Sequence, residues 1–284
     1  MKNILKKVLL STVLVNSYLF AEAKGSLVII GGGTRPDYIM SKITDLAGGK
    51  RAKIVVIPNA SSEAIDVGTS QKKEFEKFKP MSVKFLSFEN KDADKYLKDL
   101  DGVTGIFFSG GDQKKLIKSL ENTRLFDKIK QIYEKGGVIA GTSAGAAVMS
   151  DIMLTGEEIL TKKTEGDFNT IKSGNVKTSK GFGFVTKAII DQHFIKRKRE
   201  NRLMSLAIEN PQMPCVGIDE STAIIVDSDN IFEVLGESTV MIFDASKSKN
   251  IGKDSNKNLH IENLNVHLLK SGQKYDLNKK EILN

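Results

Sequence analysis

Few residue types can attack a carbonyl carbon, and this sequence holds one serine in a setting suited to the task. Ser143 stands in Gly141-Thr142-Ser143-Ala144-Gly145, after the apolar run Gly137-Val138-Ile139-Ala140 and before the small-residue run Ala146-Ala147-Val148-Met149. That order predicts a strand, a sharp turn and a helix. A serine at the apex is pushed out of the sheet, where a base can take its proton, and small neighbours let the backbone bend and a substrate approach. The helix starting just after it brings unpaired N–H groups and its positive dipole end to the same spot, which suits a developing oxyanion. A glycine-bracketed serine can also do no more than cap a helix, so the rest of the chain must supply a base.

The chain contains three histidines: His193, His260 and His267. His260 and His267 fall near or beyond a polar stretch and read as peripheral. His193, in Asp191-Gln192-His193-Phe194, follows the apolar run Val185 to Ile190 and so occupies a strand end, as Ser143 does. Its neutral imidazole could accept the Ser143 proton and return it to a leaving amine. Such a base is oriented by a carboxylate, and Asp191, Asp219 and Glu220 compete. Asp191 is two residues from His193 and shares its face if the strand continues. Asp219 and Glu220 follow Val216-Gly217-Ile218. As strand neighbours they point to opposite faces, so at most one faces the histidine directly, and spacing does not choose among the three. Arg197, Arg199 and Arg202 come next. Their spacing can direct them into one region, where guanidinium forks would bind carboxylates of an acidic substrate.

The elements that must position these residues read as alternating strands and helices. Strands are expected at Ser26 to Ile30, Lys53 to Ile57, Val83 to Phe88, Gly105 to Phe108 and the run into Ser143. Helices are expected at Pro36 to Leu46, Thr69 to Phe78, Ala93 to Leu100 and, as one long amphipathic helix, Leu116 to Glu134. Short apolar strands separated by helices indicate βαβ units and a mostly parallel sheet. Ligands of such sheets bind beyond the carboxyl ends of the strands, and the glycine clusters at 31–33, 110–111 and 141–145 all fall there. Gly31-Gly32-Gly33 lacks the G-x-G-x-x-G spacing of a dinucleotide site, since Pro36 takes the last glycine's place, and no phosphate-cradling loop of the G-x-x-x-x-G-K type occurs. Beyond about residue 185 the chain turns strand-rich, with Phe184 to Ile190, Val216 to Val226, Ile231 to Leu235, Thr239 to Phe243 and Leu264 to Leu269 as strands and Glu200 to Ile208 as a helix. Residues 245–261, rich in Lys, Asn and Ser, read as a flexible loop.

Composition narrows the class. The chain has 284 residues, 40% of them hydrophobic, and a formal charge of +8. The basic excess is scattered over lysine-rich helix faces and is not interleaved with aromatics, which argues for solubility and against nucleic-acid binding. The one cysteine, Cys215, excludes an intramolecular disulfide and reads as a small buried hydrophobe. Lys2, Lys6 and Lys7, the mostly apolar run Val8 to Phe20 and then Ala21-Glu22-Ala23 match a secretory leader cleaved after Ala23. The apolar run is shorter than the ~20 residues that span a bilayer. The expected organisation is therefore a leader over 1–23 and one α/β hydrolase domain over 24–284, exported to the periplasm or beyond and not retained in a membrane.

Taken together, these residues resemble the cyanophycinase family of serine peptidases, which also holds the α-aspartyl dipeptidases. The resemblance rests on Phe107-Phe108-Ser109-Gly110-Gly111-Asp112-Gln113, Gly141 to Ala146, Asp191-Gln192-His193-Phe194 with Arg197, Arg199 and Arg202, and Gly217-Ile218-Asp219-Glu220-Ser221-Thr222-Ala223. It extends over nearly all of the chain beyond the leader, to Val266-His267-Leu268-Leu269 and Gly272. It implies a flavodoxin-like sheet of the class I glutamine amidotransferase type. It implies Ser143 as nucleophile, His193 as base and Glu220 as the orienting acid, with the N–H groups of Gly111 and Ala144 holding the oxyanion. It further implies Gln113, Asp191, Gln192, Arg197, Arg199 and Arg202 around the substrate, with Asp191 or Asp112 meeting a guanidinium. The implied substrate is cyanophycin, a polyaspartate bearing arginine on each side-chain carboxyl, released as β-aspartyl-arginine dipeptides without a metal or cofactor. Two other readings share the features: a peptidase for short α-aspartyl or isoaspartyl peptides, and a non-catalytic exported binding protein. A second copy of the chain is a candidate partner, because related folds commonly dimerise.

Overall fold

The computed structural model describes residues 25–160 and 168–283. The leader expected over residues 1–23 lies outside the described residues. The first part of the chain lays down β1 (Ser26–Ile30), α1 (Asp37–Leu46), β2 (Lys53–Ile57), α2 (Ala64–Glu76), β3 (Ser82–Phe85), β4 (Gly105–Phe108), α3 (Gln113–Leu120), α4 (Arg124–Glu134), β5 (Val138–Thr142) and the single turn α5 (Ala144–Ala147). The five strands stand in the order β3-β2-β4-β5-β1, all parallel. Both faces are covered, so every residue of β4 and β5 is buried, as expected of strands between helix layers. Strand alternation then divides the core in two. Ile29, Val55, Ile57, Ile106, Phe108 and Ile139 face one layer, and Val28, Ile30, Ile54, Val56, Phe107 and Ala140 the other.

The second part adds a hairpin of β6 (Ile152–Glu158) and β7 (Val176–Lys180), then β8 (Ile189–Gln192), α6 (Glu200–Glu209), β9 (Cys215–Ile218), β10 (Thr222–Val226), β11 (Ile231–Gly236), β12 (Val240–Asp244), β13 (Lys249–Lys253), β14 (Leu259–Glu262), β15 (Asn265–Leu269), β16 (Lys274–Asp276) and β17 (Glu281–Leu283). β10 pairs antiparallel with β1, and β11, β16 and β17 extend that edge. A second sheet runs β15-β12-β9-β8, with β8 and β9 parallel. The architecture is thus a mostly parallel central sheet flanked by helices, with a strand-rich C-terminal part.

Several elements differ from the sequence reading. The stretch Leu116 to Glu134 is two helices. Asn122 turns left-handed at φ 58°, and the Thr123 hydroxyl accepts the Phe126 N–H at 3.1 Å, capping a new helix. Residues 245–261 include the paired strands β13 and β14. Asp254 makes the hairpin possible by accepting the Asn256 and Asn258 N–H groups at 2.8 Å each, an aspartate turn that composition alone read as flexibility. Most consequential is Val216 to Val226. It is not one strand but two, β9 and β10, which belong to different sheets. Asp219, Glu220 and Ser221 form the crossing between them, so the alternation rule does not apply to that trio.

Candidate active site

Ser143 follows β5 and takes φ 55° and ψ −114°. Such a backbone costs a non-glycine residue roughly 1–3 kcal/mol and persists only where neighbours hold it. Here its N–H donates to the Ile30 carbonyl at 3.1 Å, and its own carbonyl accepts the Ala146 and Ala147 N–H groups at 2.9 Å. The turn needs small residues for a steric reason: a Cβ on Gly145 would lie 2.2 Å from the Phe108 carbonyl oxygen. This is why the strand before and the helix after Ser143 can sit so close to β4.

The loop after β4 meets the serine from the other side. A Cβ on Gly110 would lie 3.3 Å from the Ser143 Cβ and 3.8 Å from its Oγ, so the backbone at Gly110 runs beside the hydroxyl. Ala144 is the first residue of α5, and an N–H at that position has no acceptor within the helix. Gly110, the residue before Gly111, and Ala144 thus flank Ser143 from two different strand ends.

His193 arrives from the second sheet. β8 ends at Gln192, and His193 leaves the strand with φ 49°. Its N–H donates to the Gly31 carbonyl at 2.7 Å, and its ring lies against Gly32. The imidazole Nε2 is 2.8 Å from Ser143 Oγ, and Nδ1 is 2.6 Å from Glu220 Oε1. A carboxylate only accepts, so Nδ1 carries the proton and Nε2 is left to accept from the serine. Burial lowers the pKa of His193 below its ordinary 6.5. The Glu220 contact opposes that shift, while the charges of Arg197 and Arg199 add to it. The ring is thus held neutral at neutral pH. A hydroxyl, a neutral imidazole and a carboxylate in one hydrogen-bonded row can generate an alkoxide nucleophile and stabilise the imidazolium that results.

The other two carboxylates are engaged elsewhere. Asp191, 1% exposed, receives the Arg202 guanidinium fork, with Nε at 2.7 Å from Oδ2 and a second bond from Nη2 to Oδ1. The Arg202 guanidinium also lies 5.1 Å from the centre of the Phe168 ring. Asp191 and Arg202 thus pair with each other, and the left-handed step at His193 breaks the strand alternation that would have put Asp191 on the histidine's face. Asp219 bonds to the Lys196 N–H and the Ser238 hydroxyl. Asp112 caps α3 by accepting the Lys114 N–H at 2.7 Å.

The remaining expected site residues are dispersed around this centre. Arg199 Nη1 donates to the Gln192 carbonyl at 2.6 Å and sits 3.9 Å from Asp191. Arg197 is exposed but close enough to His193 to act on its proton. Gln113 donates its amide to the Leu154 carbonyl at 2.9 Å. The Gln192 side-chain oxygen is buried without a hydrogen-bond partner among the described residues. His260 is exposed on β14, and the His267 ring on β15 lies 5.8 Å from the Tyr275 ring, tilted by 54°. Cys215 is buried, which pushes its thiol pKa up.

Comparison with known proteins adds to this geometry. Residues 27–234 match the model of peptidase family S51. The chain belongs to peptidase family S51. This S51 peptidase is a serine-type hydrolase similar to cyanophycinases. It is 30% identical over 270 residues to the cyanophycinase of Trichormus variabilis, covering 92% of this chain and 88% of that one. It is 33% identical over 266 residues to the cyanophycinase of Geminocystis herdmanii, covering 89% and 94%. The solved structure of a peptidase from an acI-B1 actinobacterium superposes with a TM-score of 0.65 at 23% identity, over 90% of this chain and 98% of that one.

Two features beside this row were read in the sequence without their partners. Gly31-Gly32-Gly33, expected as a strand-end cluster and not a nucleotide motif, places Gly32 against the His193 ring and Gly33 against the Glu220 side chain. Asp219, a rival of Glu220 in the sequence, meets neither ring nitrogen of His193. The signal for the first was available: three glycines at a strand end mark close approach by something, and a histidine is one such visitor.

Proposed function

We propose that this chain is an exported cyanophycinase, hydrolysing arginine-substituted polyaspartate to β-Asp-Arg dipeptides. The observation that carries the reading is the row in which His193 Nε2 lies 2.8 Å from Ser143 Oγ and Nδ1 lies 2.6 Å from Glu220. Ser143 Oγ attacks the scissile carbonyl carbon while its proton passes to His193 Nε2. Glu220 steadies the imidazolium. The carbonyl oxygen becomes an oxyanion held by the N–H groups of Gly111 and Ala144. When the carbon–nitrogen bond breaks, His193 returns the proton to the leaving amine, and an ester to Ser143 remains. Water, deprotonated by His193, then cleaves that ester and frees a carboxylic acid.

The substrate assignment is supported by the relatives that carry the name cyanophycinase and by groups suited to a zwitterionic polymer. The exposed Arg197 can meet a carboxylate. The unpartnered Gln192 oxygen can accept from a guanidinium N–H. Export is supported by the basic-then-apolar N-terminal stretch ending in Ala21-Glu22-Ala23, and N-terminal sequencing of the mature protein would test it by finding, or failing to find, a start at Lys24.

The deciding assay is mass spectrometry of products from purified cyanophycin, beside α-aspartyl and isoaspartyl dipeptides, with wild type and Ser143→Ala. The expected result is β-Asp-Arg from the polymer, lost in the variant. Cleavage of the short peptides alone would replace the substrate assignment. No hydrolysis of either, with no fluorophosphonate labelling at Ser143, would leave a binding protein.

A further inference from the structure

The row from Ser143 to Glu220 is assembled from three chain segments, and disfavoured backbone lies at or beside all three members, Ser143 with φ 55° included. His193 has φ 49°, and Ser221, directly after Glu220, has φ 55°. Left-handed conformations of this kind last only where the surroundings over-determine them. Part of the hold is main chain: His193 N–H to Gly31 at 2.7 Å and Ser221 N–H to the Gly32 carbonyl at 3.0 Å. Those bonds fix each segment to the β1 loop. They do not fix the histidine turn to the glutamate crossing.

One main-chain bond joins the two, from the Phe194 N–H to the Ile218 carbonyl at 3.2 Å, and Asp219 adds a side-chain connection beyond it. The residue is 8% exposed. Oδ1 accepts the N–H of Lys196, three residues past His193, at 2.9 Å. Oδ2 accepts the hydroxyl of Ser238 at 2.7 Å. Ser238 lies in the turn between β11 and β12, and that turn braces the far side of Glu220. The Glu237 N–H donates to the Ser221 carbonyl at 3.0 Å, and the Ser238 N–H donates to the Thr222 hydroxyl at 2.9 Å. The Asp219 N–H donates to Thr239 at 3.3 Å, which closes the web. Bonds to a shielded carboxylate are the strong, short kind, unlike an exposed ion pair, which would give little rigidity.

We infer that Asp219 is a positioning residue: its buried carboxylate ties the turn bearing His193 to the hairpin that braces Glu220, and so sets the imidazole on the line between Ser143 and Glu220. It touches none of the reacting atoms. This inference rests on the reading of Ser143 and His193 given above. Reacting groups displaced by about 1 Å lose on the order of 10²-fold in rate, so a tether of this kind acts on kcat and leaves substrate affinity nearly alone.

The test compares Asp219→Asn, Asp219→Ala and Ser238→Ala with wild type, using kcat and KM on cyanophycin, each normalised to folded protein from circular dichroism and thermal unfolding. Asparagine keeps an acceptor for Lys196 and can donate to the Ser238 oxygen, so it is expected within about threefold of wild-type kcat, whereas alanine is expected to lose ~10- to 100-fold with KM within about threefold. Ser238→Ala cuts one arm only and is expected to fall between them; it carries the test if Asp219→Ala does not fold. Wild-type kcat in both alanine variants overturns the inference. So does an asparagine variant as slow as alanine, because then charge and not tethering is what matters. Ser143→Ala run alongside separates the two readings: turnover surviving in that variant sinks the serine mechanism itself, whatever the Asp219 variants do.

Discussion

Replacing Gly32 with alanine should disable the enzyme through a single methyl group. The backbone there has φ 113°, and an added Cβ would lie 2.3 Å from His193 Cε1 and 2.4 Å from Nε2. Carbon atoms pack at about 3.5 Å, so the ring must retreat by roughly 1 Å or rotate. The Ser143 contact is only 2.8 Å long to begin with. A retreat of that size takes it past hydrogen-bonding range, and rotation would surrender the Glu220 contact as well. A misplacement of ~1 Å costs on the order of 10²-fold, and complete loss of a base in such a row costs ~10⁴-fold or more. The variant is therefore expected to lose about 10²- to 10⁴-fold in kcat. The left-handed backbone adds about 1–2 kcal/mol of destabilisation, which for a chain of this size lowers Tm by several degrees at most. Steady-state turnover on cyanophycin, with circular dichroism to establish folding, measures both. A folded Gly32→Ala protein turning over within about threefold of wild type would refute the argument, because the ring would then not need the position it holds.

Other outcomes follow from the same geometry. His193→Ala should keep its fold and lose ~10⁴- to 10⁶-fold in turnover; near-normal rates would remove it from the mechanism. Because burial holds His193 below 6.5 and the proposed mechanism uses the neutral ring as base, the acid limb of kcat/KM should lie below pH 6.5. Glu220→Gln removes an influence that raises this pKa and should move the limb further down, while Arg197→Ala removes one that lowers it and should move the limb up; a wild-type limb above 6.5 would contradict the cause assigned. Arg202→Ala should act on stability, since it removes the fork bound to the buried Asp191 and leaves only the more distant Arg199 guanidinium, 3.9 Å away, opposite it, with an expected loss of up to ~3–5 kcal/mol in urea unfolding. Arg197→Ala, at an exposed position, should raise KM for cyanophycin with Tm unmoved.

Local pattern made much of this protein legible before any coordinates. Four- and five-residue apolar runs ending in glycine gave away β1, β4 and β5, since a strand buried on both faces has no polar alternation to preserve. The elbow at Ser143 was readable because its requirement for small neighbours is met within five consecutive residues. His193 was readable because it too stands at a strand end.

The sequence by itself determined the parallel strands, the turn that exposes Ser143 and the short list of bases, because each depends on residues adjacent in the chain. Only the tertiary structure decided the partners. Glu220 meets His193 because the chain changes sheets between β9 and β10, a change that alternation along a single strand does not foresee. Asp191 on β8 is engaged by Arg202 of α6, a pairing that strand alternation does not foresee. Gly32 became the seat of an imidazole because the end of β8, in the second sheet, is bonded to the β1 loop through the His193 N–H and the Gly31 carbonyl. Contacts between distant segments are set by how layers pack, and that packing is a property of the whole core.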